Sequence, residues 1–239
     1  MKKVLLLIAC VMAFSSCTFG EWSLAPSENI VTKDYQLSSF EEIAMHCVGN
    51  VEVIQDKAKN GLVQLTAPDN FVEYITFESK NSRLDIRSTL KRLNMDGGQI
   101  KIKVYTTDLI KLTNSGVSKI AMDSLDTDRL DINNSGAGSI EINKIIADDV
   151  NAACSGVGSI SINGQTINAD LTCSGVGSIE ANDLKAKNVK ALVSGVGSIN
   201  CHAKESIEGS VTGVGSLNYS GKPQHKNTHR PGVGSINEM

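Results

Sequence analysis

Six aspartates, Asp123, Asp126, Asp128, Asp131, Asp148 and Asp149, crowd into one short stretch of the chain. Carboxylates this dense are the raw material of a Ca²⁺ site or of paired acid–base work on a glycosidic bond. The nearby arginine is Arg129, and this half of the chain has almost no aromatic platform on which a sugar would stack. A solvated face explains the cluster better than a polysaccharide-cleaving site does. Cys154 and Cys173 stand at matching places in neighbouring repeats, where stacked Cβ vectors run parallel and would strain a disulfide. They read as buried free thiols, small and apolar. Cys47 and Cys201 have no evident partner, and no close-spaced pair of zinc type is present. Of the histidines His46, His202, His225 and His229, the last two flank a basic segment, Lys222 to Arg230, that reads as a surface loop. The sequence displays no Ser-His-Asp set, P-loop or dinucleotide motif, and its Gly-x-Gly units precede strands rather than helices. The expectation is a protein without catalytic residues, metal or cofactor.

What must position these groups is a repeat. Ser155-Gly156-Val157-Gly158-Ser159-Ile160 recurs as Ser135 to Ile140 (with Ala137), Ser174 to Ile179, Ser194 to Ile199 and Thr212 to Leu217. A worn copy opens the series at Ser115-Gly116-Val117-Ser118-Lys119-Ile120, and Pro231 to Ile236 closes it. The leading glycines Gly116, Gly136, Gly156, Gly175, Gly195, Gly213 and Gly232 are 20, 20, 19, 20, 18 and 19 residues apart. Self-similarity at that period signals a solenoid in which each repeat is one coil stacked on its neighbours. The second glycines, Gly138, Gly158, Gly177, Gly197, Gly215 and Gly234, complete each corner, where the backbone takes conformations costly for a residue with a Cβ.

Aligned on the leading glycine, the repeats form columns. Two residues before it stand Asn114, Asn134, Cys154, Cys173, Val193 and Val211, and the two asparagines suggest a short amide ladder. Six before stand Ile110, Leu130, Val150, Ala169, Val189 and Ile207. Four after stand Ile120, Ile140, Ile160, Ile179, Ile199, Leu217 and Ile236, and six after Met122, Ile142, Ile162, Ala181, Cys201 and Tyr219. Polar residues alternate with all of these, so one strand enters and one leaves each corner with a single face buried. Like residues then stack about 4.8 Å apart, the spacing of neighbouring strands. Calcium-binding nonapeptide rolls need an Asp in each Gly-rich turn, and left-handed acyltransferase helices need a hexad; this chain has neither. A right-handed parallel β-helix with coils of 18–20 residues is left, the hand that parallel crossovers favour.

The bulk numbers agree. Of 239 residues, 41% are hydrophobic, enough for a continuous core, and with 4% aromatic that core must be aliphatic. The formal charge is −3, or −5 once Lys2 and Lys3 leave with a leader, which excludes a nucleic-acid partner. Those lysines precede the apolar run Val4 to Phe14, too short to span a bilayer and suited to a signal peptide. Phe14-Ser15-Ser16-Cys17 resembles the lipobox of bacterial lipoproteins, which makes Cys17 the lipidated residue. Leu7-Ile8-Ala9-Cys10 also fits that pattern, but would leave the apolar run only Val4 to Ala9. A diacylated, N-acylated Cys would hold the chain on a membrane.

Residues 1–16 thus read as signal peptide, 17–29 as lipidated Cys and tether, 30–112 as irregular β-rich coils and 113–239 as the regular repeats. In 30–112 hydrophobic residues alternate, as in Ile100, Ile102 and Val104. Turn chemistry punctuates the strands at Lys59-Asn60-Gly61, Pro68-Asp69-Asn70, Lys80-Asn81-Ser82 and Asp96-Gly97-Gly98, and one helical turn is expected near 69–75. Val48-Gly49-Asn50-Val51-Glu52-Val53 lines up with Ala137 to Ile142, so this part reads as a less regular start of the same solenoid, capping its open end.

Phe40-Glu41-Glu42-Ile43, Gly49 to Val53, Leu84-Asp85-Ile86, Ile102-Lys103-Val104 and the Ser-Gly-Val-Gly-Ser series resemble the head GIN domain family, over roughly residues 38 to 220. Its members are described as "putative auto-transporter adhesins" of Gram-negative bacteria. The resemblance implies a right-handed β-helix with Gly-rich corners and a role in cell adhesion. Since the chain ends at Met239 inside a coil without a membrane barrel, the lipidated Cys17 is expected to anchor it instead. The expected function is a non-catalytic, lipid-anchored envelope protein, at the outer membrane, that meets a protein or glycan ligand through a solenoid face. A carbohydrate-binding or carbohydrate-active β-helix and a periplasm-facing structural lipoprotein are the alternatives. Flat polar ladders and an open last coil leave homo-oligomer formation open.

Overall fold

The computed structural model describes residues 24–89 and 99–239. The leader, Cys10, Cys17, Trp22 and the turn at Asp96 to Gly98 lie outside the described residues. The chain is almost all strand, wound into a β-solenoid of about six turns. Seven strands make the first part: β1 (Ile30–Gln36), β2 (Glu42–His46), β3 (Val48–Gln55), β4 (Leu62–Pro68), β5 (Ile75–Lys80), β6 (Arg83–Ser88) and β7 (Lys101–Thr106). A 3-10 helix (Asp69–Tyr74) separates β4 from β5, where one helical turn is expected from the sequence. The repeats follow as β8 (Lys111–Asn114), β9 (Val117–Met122), β10 (Leu125–Asp126) and β11 (Arg129–Asn134), then the long strands β12 (Ala137–Cys154), β13 (Val157–Cys173), β14 (Val176–Val193) and β15 (Val196–Val211). The last coil is β16 (Ser216–Ser220), β17 (His225–His229) and β18 (Ser235–Glu238).

Successive coils pair in parallel with identical residues in register: Ile140 on Ile160, Ile160 on Ile179, Ile179 on Ile199. Each long strand turns a second corner within itself, where the register slips between Ile142 and Ile145 and again between Ser161 and Gly164. Bulges of that kind bend a strand without ending it. The inward columns are dry: Cys154, Cys173, Val193 and Val211 are fully buried, as are Ile160, Ile179 and Ile199. One column entry is displaced. Ile110 is 37% exposed, and Leu109 takes the buried place, because Ile110 lies at a bend before β8 begins at Lys111, whereas β11 in the next coil already begins at Arg129.

The first part is not a simple start of the winding. The coil of β2 and β3 lies between two others, pairing in parallel with β6 and β7 on one side and with β8 and β9 on the other. Spatial order therefore departs from chain order. Below it, β4 runs antiparallel to β7, β1 antiparallel to β4, and β5 antiparallel to β6. A solenoid must cover its open sheet edge, and these reversed strands do so. Large side chains seal the end: Phe40 and Phe71 are buried, each contributing roughly 2–3 kcal/mol by removal from water. The β5–β6 reversal uses Asn81 and Ser82 at φ 52° and 59°, the left-handed pair of a tight hairpin turn. Of the expected tether, residues 25–29 are tied to the 3-10 helix. Asn70 Nδ2 donates to the Ala25 carbonyl (2.8 Å), Asn29 Nδ2 donates to Asp69 (2.8 Å), and the Ser27 hydroxyl bonds Asp69.

Candidate functional site

The glycine corners line one edge of the solenoid, in register as Gly138, Gly158, Gly177 and Gly197. Their necessity has a different cause from the conformational one expected. Among the corner glycines only Gly138 and Gly158 sit at clearly positive φ, 150° and 153°. The common cause is crowding by the coil beneath. A Cβ on Gly156 would lie 2.0 Å from the Gly136 carbonyl oxygen, and one on Gly177 1.9 Å from that of Gly158. Packed backbone to backbone, each corner thrusts the residue between its glycines outward. Val117, Val157, Val176, Val196 and Val214 are 56–61% exposed, and Val233 is 84% exposed. Serines flank this ridge on both sides at Val157, Val176 and Val196, while Thr212 and Pro231 replace the first serine at Val214 and Val233. The edge is thus a repeating Ser-Val-Ser relief with a step of about 4.8 Å.

The relief is interrupted at the worn end. Ala137 and Ala121 stand where neighbouring coils carry Val and Glu, and the missing side chains leave two depressions. One of about 320 Å³ is lined by Asn50, Glu52, Lys101, Lys103, Lys119 and Ala121, among others. A smaller one of about 230 Å³ reaches Val117 and Ala137 at the ridge. Lys103 pairs with Glu52 at 3.1 Å and Lys119 with Glu141 at 3.6 Å across the coils.

Polar ladders climb the outer faces, all oriented one way. Asn237 donates to Asn218 (2.8 Å), Asn218 to Asn200 (2.7 Å) and Asn200 to the carboxylate of Glu180 (2.7 Å). On another face Ser206 donates to Asn188 (2.8 Å), Asn188 to Asn168 (3.0 Å) and Asn168 to Asp149 (2.9 Å). Each ladder ends on a carboxylate, which accepts and has no proton to give, so the amide orientation is fixed from the bottom up. The buried Asn114 donates to Asn134 (3.0 Å), while its Oδ1 accepts from the Ser118 hydroxyl and the Gly116 N–H.

The six aspartates are brought near the second corner but spent separately. Asp123 accepts from Asn143, Asp131 from Asn151 and Arg129, and Asp149 from Asn168. Among the described residues no group of three acidic, His or Cys side chains is placed to hold a metal ion. Cys47, Cys154, Cys173 and Cys201 are free and buried. Burial pushes the Cys47 and Cys201 thiols up to about 12. In the stacked pair a mutual hydrogen bond and burial push Cys154 up, and the same bond draws Cys173 down. His225 and His229 lie on β17, not on a loop: the basic segment pairs in parallel with β15 and closes the last coil.

One constellation was invisible in the sequence. The Ser115 hydroxyl is 2.6 Å from His46 Nδ1, and His46 Nε2 is 3.1 Å from Asp85 Oδ1. The carboxylate must accept, so Nε2 presents a proton to Asp85, while the Ser115 hydroxyl also reaches the Met45 carbonyl at 3.2 Å. This is a Ser-His-Asp set, contrary to the sequence expectation, built from residues 69 and 39 positions apart. It is poorly suited to acyl transfer. Asp85 is shared with Arg83 and Arg87 at 3.2 Å each, and the Gly116 N–H that would steady an oxyanion is given to Asn114. Its role is a polar clamp joining three coils.

Partial burial works to raise the Asp85 carboxyl, but hydrogen bonds from Arg83 and His46 and the charge of Arg87 outweigh it and hold it below the ordinary carboxylate range. A depressed folded value stabilises fully above the unfolded carboxylate value of about 4 and is lost as pH falls through the lower folded one. Asp85→Asn is therefore expected to lower the melting temperature at pH 7, with the gap from the unmodified chain closing as pH falls below the ordinary carboxylate range. Calorimetry across that range checks it; a gap independent of pH would remove the clamp from the account.

The chain is thus a parallel β-solenoid with a repetitive edge and dry interior columns. The chain belongs to the family described as "Putative auto-transporter adhesin, head GIN domain", whose sequence profile matches residues 39–223. It is similar to the crystal structure of a "putative adhesin" from Bacteroides fragilis NCTC 9343, at 33% identity and TM-score 0.87 over 91% of this chain and 100% of that one. A "putative adhesin" from Parabacteroides distasonis ATCC 8503 shares the fold at 22% identity and TM-score 0.73, covering 91% and 100% of the two chains. So does a "Putative lipid binding protein" from the same strain, at 21% identity and TM-score 0.66 over 91% and 100%. A comparison with curated proteins finds no match. Membership in an adhesin-type family points to the cell surface or envelope.

Proposed function

We propose that this chain is a non-catalytic, lipid-anchored adhesin of the outer membrane that grips a protein or glycan ligand with its Ser-Val-Ser edge. The observation that carries the reading is the ridge itself. Six valines of one column stand more than half exposed, three of them (Val157, Val176 and Val196) between serines, an apolar relief that folding alone gives no reason to keep. Flanking hydroxyls offer donors and acceptors at the same period, so a repetitive or extended ligand would meet many weak, identical contacts. The two depressions at the worn end supply the irregular feature from which a binding register can be set. Lipidation at Cys17 would hold the solenoid at the membrane, since several acyl chains together anchor stably where one does not.

Cell fractionation and protease shaving test the anchoring and the orientation together. The unmodified chain is expected in the membrane fraction and is expected to be cut from intact cells by external protease. Cys17→Ala is expected to move at least about nine-tenths of it to the soluble fraction, an estimate from the weak binding of an unacylated chain. A Cys17→Ala chain that stays on the membrane would contradict the anchor. Protection of the unmodified chain in intact cells would favour a periplasm-facing structural role instead.

A further inference from the structure

The stretch between the second corner and the following strand carries a charge pattern that neither the edge nor the clamp uses. Its outward column reads, coil by coil, Asp126, Ile146, Gln165, Lys185, His202. Two residues further along, past the buried Thr127, Ala147, Thr166 and Ala186, the next outward column reads Asp128, Asp148, Ile167, Lys187. Both columns run from acid through aliphatic to base across four coils. Ile146 and Ile167 occupy the middle, two isoleucines on adjacent coils at 46% and 39% exposure. Asp126, Asp128, Asp148 and Lys187 are exposed, and Lys185 is held only by its neighbours Asp183 (3.7 Å) and the Asn182 carbonyl (3.3 Å).

We infer that this strip is a self-complementary dimer interface, whose partner is a second copy of the same chain lying antiparallel across it. A twofold axis passing between the coils of Ile146 and Ile167 brings the Asp126 and Asp128 coil over the Lys185 and Lys187 coil of the other copy. The same operation brings the second copy's acids over the first copy's lysines, as an isologous contact requires. It also sets Ile146 of each copy over Gln165 of the other, and Ile167 over Asp148, which lies one coil from the other copy's Lys187. Two isoleucines per copy thus lie at the middle within a rim of opposed charge. The opposed charges fix the antiparallel register, because the parallel arrangement would set acid on acid and base on base. The strip is four strands wide, roughly 15 Å from first to fourth, so the footprint is small and the association weak and exchanging.

Sedimentation velocity of the full chain in density-matched detergent tests this with two double variants, Asp126→Lys/Asp128→Lys and Lys185→Asp/Lys187→Asp. The unmodified chain is expected to form dimers at low salt, weakening about tenfold or more by 0.5 M salt as opposed charges are screened. Each double variant alone carries like charges at both ends of the strip and is expected to be monomeric. Mixed one to one, they are expected to recover dimers, since acid then meets base at both ends. A parallel check that leaves every charge in place is Ile146→Ser/Ile167→Ser, expected to weaken the dimer about tenfold with an unchanged circular dichroism spectrum. Monomers of the unmodified chain at low salt, or double variants that dimerise alone as well as it does, would overturn the inference. So would a mixture that stays monomeric while both variants keep the spectrum of the unmodified chain.

Discussion

Gly156→Ala is expected to destabilise the solenoid by at least about 3 kcal/mol, lowering the melting temperature by roughly 6–12 °C or preventing folding altogether. The substitution is the mildest that chemistry allows, one methyl group on a surface corner. Its Cβ, however, would stand 2.0 Å from the Gly136 carbonyl oxygen and 2.6 Å from the Ser135 carbonyl carbon. Both are backbone atoms, fixed by the hydrogen bonds that join the coils: Val157 N–H donates to the Gly136 carbonyl at 3.0 Å. Relief requires the two coils to part along the whole corner, and the columns beside it would lose contact. Val157→Ala, one residue away and facing solvent, is expected to change stability by no more than about 0.5 kcal/mol. Thermal or denaturant unfolding of the pair decides the matter. Near-equal stability of both variants would mean that the corners do not stack as closely as described.

Asn134→Ala is expected to cost about 3 kcal/mol, although the side chain is only mid-sized. Asn134 is fully buried, accepts from Asn114 at 3.0 Å and donates to the Gly138 carbonyl at 3.1 Å. Truncation leaves the Asn114 amide without its acceptor in a dry column and opens a cavity, and both effects add. The comparison that isolates the hydrogen bonds is Cys154→Val, one coil higher in the same column. There the thiol stacks between Asn134 and Cys173 without accepting from either asparagine amide, Val193 and Val211 already occupy the equivalent sites higher up, and the expected cost stays under about 1.5 kcal/mol. Equal losses at the two positions would show that packing alone, not the amide pair, holds the lower coils.

The legible part of the fold was the part governed by period. A residue that recurs every 18–20 positions must meet its own kind on the next coil, so the columns, the corner and the Asn114–Asn134 pair follow from counting. Counting fails where the period fails. In residues 30–112 alternation marks strands but carries no information on direction, and β4 runs against β7, β1 against β4 and β5 against β6. Nor could it reveal that β2 and β3 pair on both sides, because stacking order there departs from chain order. The His46–Ser115–Asp85 clamp depends on that order: β6 and the first corner flank His46 only because β2 lies between them. Ile110 was misplaced by one residue because it lies at a bend just before β8 begins, and Leu109 turns inward in its stead. The segment at His225 looked like a loop because its side chains are all polar; it is a strand of the terminal coil, where neither face has a core to meet.

The proposed adhesion rests on the edge, and cell retention on an immobilised panel of glycans and extracellular-matrix proteins measures it most directly. Cells carrying the unmodified chain are expected to be held by at least one surface of the panel above cells lacking it. Val157→Lys/Val176→Lys/Val196→Lys removes the apolar relief at three successive exposed positions without touching a buried column. That variant, present at equal surface density and equal melting temperature, is expected to lose at least about tenfold in retention, some 1.4 kcal/mol of contact. Equal retention of cells carrying the unmodified chain, the triple variant or no chain at all would contradict adhesion through this edge.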